Sequence, residues 1–208
     1  MMEDMLSGRP LVAANEPALV DARVRAAVAA GECSQALDLL AHTYLDLIFG
    51  YCFRVLNGDT PRAKDVTQQV FEDACRGLLR YRGESSLKTW LLTIAHHQCL
   101  KDIATCERRR AILHQHQDDV VTELHAEPPL PDASTEPGQE WLAWLTSALD
   151  QLDPEARSIL IMRFGIGVSH ELSALEIAQI LGISRAAAYR RLQEALARLR
   201  RMIPNDAG

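Results

Sequence analysis

Between Gln115 and Glu140 the chain carries seven acidic residues and no Lys or Arg, and within this run stand Pro128, Pro129, Pro131, Pro137 and Gly138. No apolar periodicity runs through it. A segment without an apolar face has nothing to bury, so it reads as a flexible acidic linker that cuts the chain in two. The flanks have the opposite sign. From Arg76 to Arg110 eight basic residues stand against three acidic ones, and from Ser184 to Met202 six stand against one. Each flank is therefore net positive by five, although the whole chain is net negative by six. Such a protein does not coat nucleic acid indiscriminately, but it holds two local patches that could bind it. The cut gives a disordered leader at 1–19, a first domain at 20–113, the linker at 114–139 and a second domain at 140–204.

Both domains read as helical. Apolar residues recur at three- and four-residue spacing, no alternating strand pattern occurs, and aromatic residues are only 5% of the chain. The fold class is all-α, two small helical domains. Asp21 to Ala30 predicts a short helix stopped by Gly31. Ser34 to Leu56 predicts a longer one, with Leu37, Leu40, Tyr44, Leu47, Ile48, Tyr51 and Val55 on one face. Thr60 as N-cap and Pro61 at the first helical position open a third, to about Leu79. Gly83-Glu84-Ser85-Ser86 breaks the chain, and a fourth helix runs from about Leu87 past Arg110. In the second domain, Trp141 to Leu152 is followed by a helix opened by Asp153-Pro154-Glu155 and ended by Gly165-Ile166-Gly167.

No apolar run reaches the roughly 18 residues of a membrane span, and Met1-Met2-Glu3-Asp4 does not open a secretory signal. A cytoplasmic protein is expected. The five cysteines, Cys33, Cys52, Cys75, Cys99 and Cys106, are odd in number and include no Cys-x-x-Cys pair, which suits reduced thiols.

The densest local pattern lies near the C-terminus. Ser173-Ala174-Leu175-Glu176 is a capping box opening a short helix to Leu181. Gly182 permits a tight turn, and Ser184 caps a last helix with Arg185, Arg190 and Arg191 in its first two turns. Ala178 is small where the helices cross, while Ile177, Leu181, Ile183 and Leu192 bury the seam. This is a helix-turn-helix, whose second helix offers Arg to guanine edges in a major groove and Ser184 with its free amides to a phosphate. The plainer alternative is an αα-hairpin with a solvated basic face.

Residues 141–202, with Asp150-Gln151-Leu152-Asp153-Pro154-Glu155 and Ile177-Ala178-Gln179-Ile180-Leu181-Gly182-Ile183-Ser184, resemble region 4 of bacterial sigma factors. Residues 34–110 resemble region 2 of the extracytoplasmic-function (ECF) group of the sigma-70 superfamily. The strings that carry the second likeness are Ala63-Lys64-Asp65-Val66-Thr67-Gln68-Gln69-Val70-Phe71, Tyr81-Arg82-Gly83-Glu84-Ser85-Ser86-Leu87-Lys88-Thr89-Trp90-Leu91 and Ile94-Ala95-His96-His97.

The resemblance implies a sigma factor that binds core RNA polymerase and directs promoter-specific initiation. It implies that the helix after Pro61 docks on the clamp coiled coil through Asp65, Gln68, Gln69 and Glu72, and that the second domain meets the flap. Tyr81, Arg82, Ser85, Ser86, Lys88, Trp90, His97 and Lys101 would read and melt the minus-10 element. Ser184, Arg185, Tyr189, Arg190, Arg191 and Gln193 would read the minus-35 element, and the acidic linker would thread the channel that nascent RNA later fills. An anti-sigma factor is a further implied partner. His97 and Lys101 stand where the family commonly has Asn and Asp, and Ala187-Ala188 replaces a usual Thr-Val pair.

Each residue also has a plainer reading. The third helix could be an ordinary amphipathic helix, and Trp90, beside Leu87, Leu91 and Ile94, could be core. Arg108-Arg109-Arg110 could be a solvated helix end. Two rival functions are a stand-alone helix-turn-helix regulator with an N-terminal sensing or dimerisation domain, and a metal or redox enzyme using His96, His97, Cys99 and Cys106. The second lacks a full ligand set, and no phosphate loop, nucleophile elbow or catalytic acid pair occurs, so neither an enzyme nor a cofactor is expected.

Overall fold

The computed structural model describes residues 16–115, 137–166 and 171–203. Among them are eight helices and no strand: α1 (Glu16–Ala29), α2 (Cys33–Val55), α3 (Thr60–Leu78), α4 (Leu87–Gln115), α5 (Pro137–Asp150), α6 (Pro154–Phe164), α7 (Ala174–Leu181) and α8 (Arg185–Arg201). α2 packs against α1, α3 and α4 to make the first unit, and α6, α7 and α8 pack together to make the second. The two units also touch, α7 lying on α4 and α6 on α2.

The first core is the apolar stripe of α2, with Ala36, Leu40, Tyr44, Ile48, Tyr51, Cys52 and Val55 buried against Val66, Val70 and Ala74 of α3 and Leu87, Leu91 and Ala95 of α4. Leu37 and Leu47, expected on that face, are half-buried at its edge. Val55 is followed by Asn57 and Gly58, both at positive φ, which turns the chain into α3. The second core is made by Ile159–Met162 of α6, Ile177, Ala178 and Ile180 of α7, and Ala188, Leu192 and Ala195 of α8.

Several boundaries differ from the sequence expectation. α1 begins at Glu16, inside the leader assigned to 1–19, because a proline in the first turn, Pro17, costs no helical hydrogen bond. Residues 1–15 lie outside the described residues. Asp59 rather than Thr60 caps α3: its carboxylate accepts from the Arg62 N–H at 3.1 Å, and Pro61 follows in the first turn. Both candidates precede the proline and only backbone geometry separates them. α4 continues to Gln115 and α5 starts at Pro137, again at a proline, so both helices enter the stretch 114–139 assigned to the linker. Its remainder, 116–136, lies outside the described residues, as do 167–170.

Candidate polymerase and nucleic-acid interface

On α3 the residues expected to dock share an exposed surface. Asp65, Gln68, Gln69 and Glu72 face solvent, while Val66 is buried and Phe71 half-buried against the core. Gln68 Nε2 donates to Glu72 Oε1 at 3.0 Å, and Arg76 lies 3.6 Å from the same carboxylate. The face thus offers carboxylate and amide oxygens above an apolar floor, suited to a basic partner helix.

The segment from Tyr81 to Trp90 is built around the start of α4. Gly83 has φ +74°, a left-handed position that strains any side chain. Ser86 caps the helix, its Oγ accepting from the Thr89 N–H at 3.1 Å and lying 2.9 Å from the Thr89 hydroxyl. A second cap comes from far away: Asp21 of α1 accepts from the Leu87 N–H at 3.1 Å and from the Tyr44 hydroxyl at 3.4 Å. The Tyr81 hydroxyl donates to the Ser85 carbonyl, and its ring lies 5.2 Å from that of Trp90, centroid to centroid. Burial pushes the Tyr81 hydroxyl above its ordinary range, with the Asp21 carboxylate adding to it. Trp90 is half-buried, and its ring fills the space where a Cβ on Gly77 would stand 3.1 Å away. Arg82 is exposed, as are His97 and Lys101 farther along α4, and His97 Nδ1 sits 2.7 Å from the Thr93 carbonyl.

Lys88 is placed differently. Its ammonium lies 3.2 Å from Oε1 of Glu176 on α7, and only 19% of its side chain is exposed. Glu176 is also the reciprocal member of the capping box, its carboxylate accepting from the N–H and hydroxyl of Ser173 at 2.9 and 2.8 Å. Burial would push this carboxyl up, but the Ser173 hydrogen bonds and the Lys88 charge bring it below its ordinary value.

The helix-turn-helix has the geometry its sequence implies. Gly182 ends α7 at φ +63°, and the Ile183 N–H donates to the Ala178 carbonyl at 3.0 Å, which fixes the turn. Ser184 caps α8 by accepting from the Ala187 N–H at 3.2 Å. Arg185, Tyr189, Arg190 and Gln193 stand on the open face of α8. Arg191 is instead turned toward α6, 3.2 Å from Glu155, and Arg198 pairs with Asp153, which also caps α6.

Two polar groups that sequence reasoning passed over lie where the units meet. Arg157, at 5% exposure, donates to the carbonyls of Leu149, Asp150 and Leu152 at 2.8 to 2.9 Å, and across to the Val55 carbonyl at the end of α2, also at 2.9 Å. One guanidinium thus caps the C-termini of two helices. His96, nearly fully buried, has Nδ1 3.0 Å from the Tyr51 hydroxyl, which also lies beside the buried Ser158 of α6. Desolvation, and then the nearby charges of His97 and Arg191, bring the His96 pKa down to about 4. A signal for Arg157 existed: the run Ile159-Leu160-Ile161-Met162 leaves the middle of α6 without a polar side, and a guanidinium buried beside it needs acceptors.

Of the groups in the metal or redox reading, His96 lies 3.0 Å from the Tyr51 hydroxyl, Cys99 is buried, His97 is exposed and Cys106 is partly buried. Among the described residues no helix is long and apolar enough to cross a membrane, and the five cysteines are unpaired by disulfides.

Residues 40–110 match the family model for sigma-70 region 2, and residues 148–201 match that for sigma-70, region 4. The RNA polymerase sigma factor YlaC of Bacillus subtilis is 32% identical over 155 residues, 72% of this chain and 81% of that one. The ECF RNA polymerase sigma factor ShbA of Streptomyces griseus is 29% identical over 196 residues, 89% of this chain and 96% of that one. Among solved structures, the sigma factor RpoE of Bartonella quintana, in complex with the anti-sigma factor NepR, shares the fold with a TM-score of 0.54 and 23% identity. That likeness covers 81% of this chain and 98% of that one.

Proposed function

The chain belongs to the ECF group of the sigma-70 family, and from that premise we propose how its two units divide the work of a sigma factor. It binds core RNA polymerase and directs initiation at specific promoters; bond making is the polymerase's. The α3 face of Asp65, Gln68, Gln69 and Glu72 docks on the clamp coiled coil, within a unit spanning 20–113. The start of α4 and the loop before it read and open the minus-10 element. Tyr81 and Trp90 form one aromatic wall there, Ser85 and Ser86 hold the loop, and Arg82, Lys88, His97 and Lys101 face the displaced strand. The unit at 140–204 enters the minus-35 major groove on α8, with Arg185, Tyr189, Arg190 and Gln193 toward base edges and Ser184 and Arg191 toward phosphate. The acidic linker connects them through the polymerase, where its carboxylates take the path of RNA. A flap contact by the second unit and an anti-sigma partner complete the reading, the latter supported by the NepR complex of the relative. The protein acts in the cytoplasm, where its polymerase is.

The observation that carries this is the coexistence, in the family's order, of an acceptor-rich α3 face, an aromatic loop capping α4, and an open recognition helix. A stand-alone regulator needs the last alone. Run-off transcription with purified core polymerase on a genomic fragment library tests it: the protein should confer start sites that core enzyme lacks. Tight, specific promoter binding by the free protein, with no new start sites, would favour the regulator. Within the same assay, the double variant Asp65→Lys with Gln68→Lys should stay helical yet lose co-purification with core enzyme.

A further inference from the structure

α1 precedes residues 40–110, the stretch that matches region 2, yet its side chains reach the start of α4. The Asp21 carboxylate, bonded to the Leu87 N–H and the Tyr44 hydroxyl, ties one turn of α1 to the loop before α4. Arg25 stands one turn on, and its Nε donates to the Asp21 carbonyl at 3.2 Å. Its guanidinium lies against the loop: a Cβ on Gly83 would stand 3.3 Å from Arg25 Nη1, closer than an ordinary van der Waals contact. Glycine is thus required at 83 twice over, by its positive φ and by the arginine lying where a side chain would begin.

Arg25 is exposed, and among the described residues it makes no ion pair; of its five N–H groups only Nε–H has a partner. Lys88, by contrast, is paired with Glu176 across the seam between the two units. Arg25 also acts on the aromatic wall. Burial and the Asp21 carboxylate push the Tyr81 hydroxyl up, while the Arg25 charge works in the opposite direction, so the guanidinium is within electrostatic reach of that ring. Sites for single strands combine a ring on which a base stacks with cations along the backbone. Tyr81 and Trp90 supply the first, and the planar, multiply donating guanidinium of Arg25 suits the phosphate that follows a stacked base.

We propose that α1 is part of the strand-opening surface: Arg25 holds a phosphate of the displaced strand beside the wall of Tyr81 and Trp90, and Asp21 is the positioning residue that fixes where Arg25 stands. The inference rests on the minus-10 reading above. Stacking alone accepts any base and lets the backbone slide. A cation fixed beside the stack sets the register of the strand, and because it meets phosphate it does so without preferring a base. Asp21 acts through placement, since its carboxylate is engaged by α4 and Tyr44 and its carbonyl by Arg25.

The test uses full-length chain assembled with core polymerase, and the probe is the displaced strand, as an oligonucleotide across the minus-10 element, of a promoter found by run-off transcription. Arg25→Gln keeps most of the stem and loses the charge. It should match the parent in helicity, thermal melting and co-purification with core enzyme, yet bind the single strand several-fold more weakly. Between ~50 and ~200 mM salt the parent's advantage should shrink roughly 2.5-fold, the signature of one single-strand phosphate. Arg23→Gln, exposed on the same helix, should bind as the parent does. Asp21→Ala should flatten the salt dependence as much as Arg25→Gln, with Asp21→Asn restoring it. A merely structural Asp21 would lower thermal stability and leave the salt dependence intact, which overturns its positioning role. A photoreactive benzoylphenylalanine in place of Arg25 should cross-link to the displaced strand in the open complex. Cross-linking to polymerase alone, a salt dependence unmoved by Arg25→Gln, or an equal effect of Arg23→Gln overturns the proposal. Start sites combined with any of these sink the α1 contact alone, whereas a parent chain that confers no start sites sinks the sigma reading and the contact with it.

Discussion

The two surfaces assigned to DNA are built on opposite plans. On α8, Arg185, Tyr189, Arg190 and Gln193 stand free, and none of them makes an ion pair or side-chain hydrogen bond among the described residues. Around the start of α4 nearly every group also holds the fold: Tyr81 ties Ser85, Trp90 fills the space over Gly77, Ser86 caps, and Lys88 is held by Glu176. A surface that reads an intact duplex can be added to a finished helix, because the groove presents its edges from outside. A surface that takes bases out of the stack must supply a shaped aromatic wall, and such a wall is made from core. The role proposed for α8 is therefore separable from folding, and the role proposed for the start of α4 is not.

Four measurements can break or sharpen this contrast. The largest effect belongs to Trp90→Ala, which should lower stability by about 3 kcal/mol by emptying the space against Gly77 and Tyr81. It should abolish run-off transcription even on a template already opened around the start site. Rescue by that open template, with unchanged thermal melting, would show a wall independent of the core. Acid comes next. His96 titrates near 4 in the fold and near its ordinary 6.5 when exposed, so the unfolded chain binds the extra proton. Stability is then unaffected above about pH 6.5, falls as pH drops through the window from 6.5 to 4, and levels off below it, a loss of roughly 3 kcal/mol for this group. His96→Gln should flatten that part of the denaturation profile; an unchanged profile would remove His96 from the seam.

Arg190→Ala should leave the melting temperature within a degree or two yet weaken closed-complex binding by about 1–3 kcal/mol and relax the minus-35 preference. A drop in stability comparable to that of Trp90→Ala would erase the distinction between the surfaces. Smallest is Ser184→Ala, which removes the α8 cap at a cost of about 1 kcal/mol in chemical denaturation. Its footprint in DNA binding should be no larger than that, and a greater loss would assign the hydroxyl to phosphate rather than to Ala187.

The same contrast governs what could be read in advance. Much of what neighbours in the chain set was legible: the capping box of Ser173 and Glu176, the turn at Gly182, the caps Asp153 and Ser184, and the exposed face of α3. The open face of α8 was legible for the same reason, since helical spacing alone fixes it. What stayed hidden joins residues far apart in sequence. Lys88 meets Glu176, Arg157 reaches Val55, Tyr51 meets His96, and Asp21 caps α4; no periodicity encodes such pairs. Arg191 shows the limit of spacing even on α8, because its position in the second turn suits a groove equally well as a pairing with Glu155. Asp59 and Thr60 were indistinguishable as caps until the backbone placed the carboxylate over the Arg62 amide.

The bond from Asp21 to the Leu87 amide also sets a timetable for synthesis. The two residues are 66 positions apart, and at about 5–20 residues per second the ribosome takes roughly 3–13 s to add the second after the first. Throughout that interval α1 exists without the helix end that its carboxylate caps. α2 is complete much earlier, so the nascent chain can pack α1 on α2 before the loop that leads into α4 has been made. The cap on α4 can form only against an α1 that has already been made.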